Sequence, residues 1–324
     1  MAVARLRKKG KQPEKEKQLR VESLTWGDLT WVNIERPTEH ETEYLSQNYP
    51  FHPLDLDDCL SRVQRSKIDE YPEYLFLVFH FPVFNKEVRV TNPSQLSVFI
   101  SGNYLITLHK GDLKPLVKLF RDCQLNKEPR EENFSQGSAY LLYRIIDRLV
   151  DYCFPVLNRI VDHIEEVEDN IFSSDEVRGA IREISVLRRD IISFRRIIWP
   201  MRAVIGGLEP KISRFTRMDL AVYFGDMVDH VDKIWDALDE YKEVIEGLND
   251  TYDSLASNRT NEVMRMLTVI ATILLPITVV ASLYGMNIER LPFANSPYSL
   301  GFVFLIMTVI IVGMLLFFRS KHLM

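Results

Sequence analysis

The residues best placed to handle a ligand form one stripe: Asp250, Ser254, Ser257, Asn261, Met264, Leu267, Ala271, Leu275, Thr278 and Ser282. Steps of three and four put them on one face of a helix. The stripe is polar at its start, apolar at its centre and hydroxylated towards its end. A lipid-facing stripe has no need of Asn261 or Thr278, so the face reads as the lining of a passage. The competing reading is that Ser and Thr bond to their own backbone and mark nothing. Just beyond the stripe stands Gly285-Met286-Asn287. Further back, Asp226 and His230 sit four apart. That spacing can clip a transition metal, but more often it is a solvated helix face. No nucleophile–base set, phosphate loop or cluster of metal ligands occurs, so the chemistry is not that of an enzyme.

The element that carries the stripe is long. From Met266 to Tyr284 about 19 residues pass without a charge, close to the ~20 that cross a bilayer as a helix. Gly285 is expected to stop that helix in the left-handed conformation glycine adopts cheaply. A second apolar run spans 298–318, making a membrane hairpin with the tripeptide in its turn. Upstream, apolar residues fall at Leu220, Phe224, Met227, Val231, Ile234, Leu238, Tyr241, Ile245, Leu248, Tyr252 and Leu255. This is a heptad seam, the mark of helices packed along their length. No proline interrupts before Pro276, so one helix is predicted over 219–284, about 100 Å long at ~1.5 Å per residue. Two spans cannot enclose a pore, so a passage requires a ring of subunits.

The rest of the 324-residue chain is a charged body before the spans, large enough for a real core. The net charge of −5 is too small to suggest nucleic acid as a partner. Residues 1–20 are rich in Arg and Lys and read as a disordered basic tail. The alternative for the tail is weak contact with anionic lipid or RNA. Cys59, Cys123 and Cys153 are scattered, as reduced cytosolic thiols are. Residues 21–112 alternate short helical and strand-like stretches, an α+β domain. Strands are expected at 21–35, 74–84, 95–100 and 104–109, with Asn92-Pro93 and Ser101-Gly102-Asn103 as punctuation, and Asp55 at a helix N-terminus. Residues 113–218 are helical. One pattern runs 140–172, kinked at Pro155, with an acidic end; a second runs 175–205 and is basic in its second half. The two are either a charge-paired hairpin or ordinary solvated faces.

Basic residues decide the sidedness. Arg259 and Arg265 precede the first span, Arg319 and Lys321 follow the second, and the loop at 285–297 holds only Glu289 and Arg290. Both termini, including the basic 319–324 end, are therefore expected in the cytoplasm and the loop outside.

Tyr284-Gly285-Met286-Asn287 at the end of the first of two C-terminal spans resembles the signature of the CorA family of magnesium transporters. The likeness extends to Ser257-Asn258-Arg259-Thr260-Asn261-Glu262-Val263-Met264, to Ile198-Trp199-Pro200 with Arg202, and to Tyr140-Leu141-Leu142-Tyr143 with Asp147. It includes His52-Pro53-Leu54 with Asp57-Asp58 and Gln64-Arg65 with Lys67. The resemblance implies a funnel-shaped homopentamer in the inner (plasma) membrane, with α+β cytoplasmic domains, very long pore-lining helices and outer second helices.

By the same resemblance, Gly285, Met286 and Asn287 form the selectivity filter, with a ring of Asn287 amides at the outer mouth. Amide oxygens hydrogen-bond the water shell of Mg²⁺, which dehydrates reluctantly; a carboxylate ring would release the ion poorly. Met264, Leu267 and Leu275 resemble apolar constrictions of the family pore, and Asn261, Thr278 and Asp250 its polar rings. Regulatory Mg²⁺ is implied between subunits, with Asp226 and Asp147 as acidic ligands and Asn85 where a facing carboxylate is expected. That amide and the neutral loop charge are departures from the family pattern. Two alternatives remain: the same fold carrying Zn²⁺, Co²⁺ or Ni²⁺, disfavoured by the lack of Cys and His on the lining face, and a non-transporting coiled-coil protein anchored by the hairpin.

Overall fold

The computed structural model describes residues 19–61, 64–173, 177–216, 218–286 and 298–321. The tail at 1–18, Asn287 and the loop at 287–297 lie outside the described residues. The chain divides into two compact units, 1–246 and 247–324.

The first unit opens with a hairpin, β1 (Val21–Trp26) and β2 (Leu29–Glu35). Helices α1 (Glu39–Asn48) and α2 (Pro53–Leu60) follow. Thr38 starts α1 because the Glu41 carboxylate accepts from both its backbone N–H and its hydroxyl, a capping-box contact. Pro53 opens α2, where its missing N–H costs nothing. Then come β3 (Lys67–Glu70), β4 (Leu75–Asn85), β5 (Val90–Ile100) and β6 (Tyr104–His109).

The six strands form one mixed sheet in the order β1-β2-β6-β5-β4-β3, with β2 and β6 parallel. Ser101-Gly102-Asn103 closes the β5–β6 hairpin, as expected. Strand β3 carries no run of apolar residues and is not visible in the pattern; its pairing with β4 defines it. Strand β5 also differs from expectation, running straight through Asn92-Pro93, with Pro93 opposite Pro82. Facing prolines surrender the same ladder position together, so neither strand is interrupted there.

One face of the sheet buries Val32, Ile34, Phe76, Val78, Phe99 and Ile106 against Leu45 of α1 and Leu56 and Cys59 of α2. Asp55 stands in the first turn of α2, as expected, and its buried carboxylate also accepts from the hydroxyls of Tyr71 (3.2 Å) and Tyr74 (3.0 Å) in the core. The other face carries Trp31, whose ring meets Phe120 edge-on at 4.9 Å. Helices cover this face: α3 (Lys114–Leu125), α4 (Lys127–Phe134), α5 (Ser138–Asp151), α6 (Cys153–Ser173) and α7 (Val177–Gly206).

Gly137, at φ 91°, turns the chain into α5, a conformation that favours glycine. The pattern at 140–172 is two helices, broken at Tyr152, and not one helix kinked at Pro155. Pro155 lies in the first turn of α6, where a proline is tolerated. Helices α6 and α7 do pack together, yet the basic half of α7 pairs elsewhere: Arg195 with Asp239 and Arg202 with Asp232, both on the next long helix. After α8 (Glu209–Ile212) and a 3-10 turn (Ser213–Phe215) comes α9 (Ala221–Tyr284), 64 residues without a break. The chain continues into α10 (Ser299–Ser320).

Candidate ion pathway and regulatory cluster

Helix α9 is buried along one side over its first half and exposed on nearly every side beyond Leu255. Leu220, Phe224, Met227, Val231, Ile234, Leu238, Ile245, Leu248 and Tyr252 are buried, Tyr241 is half-buried, and Leu255 at the seam's end is exposed. In the first unit the seam side meets α5, α6 and α7. Tyr143 lies 5.0 Å from Tyr223, Phe154 lies 5.8 Å from His230, and Trp199 lies 4.7 Å from Trp235, between ring centroids.

Along the predicted lining stripe, Asp250, Ser254, Asn261, Met264, Leu267, Ala271, Leu275, Thr278 and Ser282 are exposed and Ser257 has the same open surroundings. Met264 is 58% exposed and Leu275 66%, within a stretch where Val263, Met266, Leu267, Ile270 and Leu274 are exposed as well; a contiguous apolar surface of this kind marks a contact with membrane or partner. The hydroxyl of Thr278 donates to the Leu274 carbonyl at 2.8 Å, and that of Ser254 to the Asp250 carbonyl at 2.9 Å. These are the self-bonding contacts that make Ser and Thr tolerable inside apolar helices. Each hydroxyl oxygen keeps an acceptor lone pair for a second partner.

At its end α9 differs from expectation. Gly285 is not among the positive-φ glycines, so no left-handed cap forms. What glycine supplies is room: a Cβ there would stand 3.2 Å from the Ala281 carbonyl oxygen, to which the Gly285 N–H donates at 2.9 Å. Met286 is exposed. Both α9 and α10 are long and apolar enough to cross a membrane, and their apolar windows are almost wholly unburied.

The candidate regulatory residues lie in two places. Asp147 on α5 and Asp226 on α9 share one neighbourhood with His230 and with Asp151, a residue the sequence reading passed over. His230 Nδ1 is 3.7 Å from Asp151 and Nε2 is 3.8 Å from Asp226, ion-pair distances too long for hydrogen bonds. The visible signal was the four-residue spacing of Asp147 and Asp151, which puts both carboxylates on one face of α5. Burial pushes the Asp147 carboxyl above its usual range, and Asp151 and Asp226 push it the same way; Arg144 and His230 offset part of this.

Asn85 stands apart from this group at the end of β4. Its side-chain oxygen accepts from the N–H groups of Glu87 (2.9 Å) and Val88 (3.4 Å), tying the β4–β5 turn. Among the described residues no three His, Cys, Asp or Glu side chains of one chain form a metal cage.

An α+β body whose long last helix continues into one of two helices long and apolar enough to cross a membrane is the build of a membrane protein. The comparisons specify which kind. The profile of the family described as CorA-like Mg2+ transporter protein matches residues 26–320. The chain is 32% identical over 297 residues to the cobalt/magnesium transport protein CorA of Thermotoga maritima, covering 90% of this chain and 82% of that one. It is 30% identical over 308 residues to the putative metal ion transporter YfjQ of Bacillus subtilis, covering 94% and 93%. The complete structure of the CorA magnesium transporter from Methanocaldococcus jannaschii shares the fold, with a TM-score of 0.79 at 24% identity over 91% of this chain and 92% of that one. The chain belongs to the CorA family. It is a metal-ion transporter and not an enzyme.

Proposed function

We propose that the protein is a homopentameric channel for Mg²⁺ entry, with its termini in the cytoplasm, closed by Mg²⁺ bound between cytoplasmic domains. The observation that carries the reading is the change along α9: its seam is buried as far as Tyr252, and beyond Leu255 the helix is exposed on nearly every side, the polar and apolar stripe included. The stripe, with its Asp250, Asn261 and Thr278 among apolar Met264, Leu267 and Leu275, is left for a partner, and five copies closing on one axis supply it. Asn261 and Thr278 then present oxygen to water-clad ions. The lack of Cys and His along the stripe favours a hard cation. Asn287 with Gly285 and Met286 is the filter on this reading, holding the hydrated ion through amide oxygens.

For regulation, Asp147, Asp151 and Asp226 place three carboxylates close to one another with only His230 and Arg144 to offset them. A divalent cation shared with a facing subunit at Asn85 relieves that repulsion and ties the subunits together. The ion shifts the gate only by its differential affinity for the closed state.

The test is uptake into liposomes loaded with a Mg²⁺-sensitive dye, beside parallel Zn²⁺, Co²⁺ and Ni²⁺ uptake, with native mass measured on the same preparation. Mg²⁺ uptake by a pentamer is expected. Preferential Zn²⁺, Co²⁺ or Ni²⁺ uptake reassigns the ion, and a stable monomer or dimer removes the pore.

A further inference from the structure

The Ile198-Trp199-Pro200 motif has no part in the pathway above, and its surroundings are unusual. Trp199 is 59% exposed. Its ring touches Trp235 of α9, with centroids 4.7 Å apart and planes at 44°, so its outer surface is free to stack on something else. It borders a cavity of about 1120 Å³ in the first unit, walled by α7, α9, the 64–66 segment, and His80 and Pro93 of the sheet. That is the size of a site for a substantial small molecule.

The charge of this cavity is one-sided. Arg65, Arg195, Arg196 and Lys242 line it, and among the described residues no Asp or Glu does. Two of the four are already engaged: Arg195 with Asp239 and over the Trp235 ring at 4.5 Å, and Lys242 with Glu246 at 3.3 Å. Arg65 and Arg196 are exposed, and no ion pair engages them among the described residues. Guanidinium groups prefer phosphate oxygens, which they bind in pairs. Arg196 and Trp199 are three apart on α7, so they are neighbours on its surface. His80 stands behind them, within 3.3 Å of the Ser66 hydroxyl. Burial, helped by Lys110, holds it below its usual range, so it adds a neutral donor or acceptor and not a fifth cation.

A cavity built only for an anion needs no indole, and one built only for a flat ring needs no unpaired guanidinium. We infer that this cavity binds a nucleoside phosphate, with the base stacked on Trp199 and the phosphates held by Arg196 and Arg65. The inference does not rest on the transport reading, and its test needs no flux.

The experiment is equilibrium dialysis of the full-length protein in detergent against labelled ADP at fixed free Mg²⁺, with pyrophosphate and adenosine as competitors. Saturable ADP binding is expected, with both competitors at least about tenfold weaker, since a stacked base and a held phosphate each contribute on that scale. Trp199→Ala should weaken ADP about tenfold and leave pyrophosphate unchanged. Arg196→Glu should weaken both. Both side chains are exposed, and an unchanged circular dichroism melt establishes that each variant is folded. Absence of saturable ADP binding overturns the inference, including the case in which a neighbouring copy covers the cavity. So does pyrophosphate competing as well as ADP with Trp199→Ala silent, which marks a simple anion site. ADP binding untouched by either substitution places the nucleotide elsewhere and overturns it equally.

Discussion

Replacing Ile234 by Ala tests most directly whether the α9 seam is a packed face. Ile234 is 0% exposed in the middle of the seam. The substitution removes three carbons, worth about 2.4 kcal/mol at ~0.8 kcal/mol each. The cavity left behind raises the expected loss to about 2–5 kcal/mol. For a unit of this size, 1 kcal/mol moves the melting point by roughly 2–4 °C, so a fall of about 4–20 °C is expected. Met264→Ala, further along the helix in the second unit, truncates a side chain already 58% exposed, and should leave the melt of the first unit within about 1 °C while altering ion flux. The assay is differential scanning fluorimetry of full-length protein at one scan rate, read from tryptophan emission. All four tryptophans precede the apolar segments, so the signal reports the first unit. Equal shifts for the two variants, or a silent Ile234→Ala, would refute the division of the helix into a packed first part and an exposed later one.

Three further outcomes are expected. Asn287→Ala should abolish Mg²⁺ uptake and leave the pentamer intact by native mass; full uptake by an assembled variant rejects the amide filter. Asn85→Asp keeps the oxygen that ties the β4–β5 turn, so it should fold normally and lower the Mg²⁺ concentration that protects the cytoplasmic domain from protease; Asp226→Ala should raise it, and coincident curves for wild type and both variants remove this boundary as the sensor. The third concerns His109, which burial holds down at about 4 against some opposition from Asp112. Its Nδ1 accepts from the Gly111 N–H at 3.0 Å while Nε2 pairs with Asn33 at 3.0 Å, so protonation would set two donors face to face. A depressed histidine contributes stability that is whole above its unfolded value of ~6.5 and is lost as pH falls towards the folded one. That amounts to about 3 kcal/mol between roughly pH 6.5 and 4, and His109→Gln should flatten this part of the stability–pH curve; an unchanged slope locates the acid sensitivity elsewhere.

What the amino-acid order determined by itself is what repeats at short range. The α9 seam and the polar and apolar stripe beyond it are periodic, the two apolar runs are continuous, and a helix carries its period wherever it goes. The β5–β6 hairpin was legible for the same reason, since a turn depends on a few adjacent residues. The signature at 284–287 named the family before any coordinates did, because it stands at one defined point of that pattern.

What only the tertiary structure decided involves partners distant in the chain. Strand β3 exists because β4 pairs with it, and Pro93 stays within β5 because Pro82 lies opposite. Asp55 is a core group because Tyr71 and Tyr74 fold over it. The basic half of α7 answers to Asp232 and Asp239 of α9 and not to the acidic helix beside it in sequence. Asp151 joins Asp226, and Arg65 faces the same cavity as Arg196 and Lys242, across separations that no local pattern spans. Periodicity tells which face of an element is apolar. Which two faces meet is set by the packing of the whole chain, since burying a face requires a partner and the sequence order does not say which one.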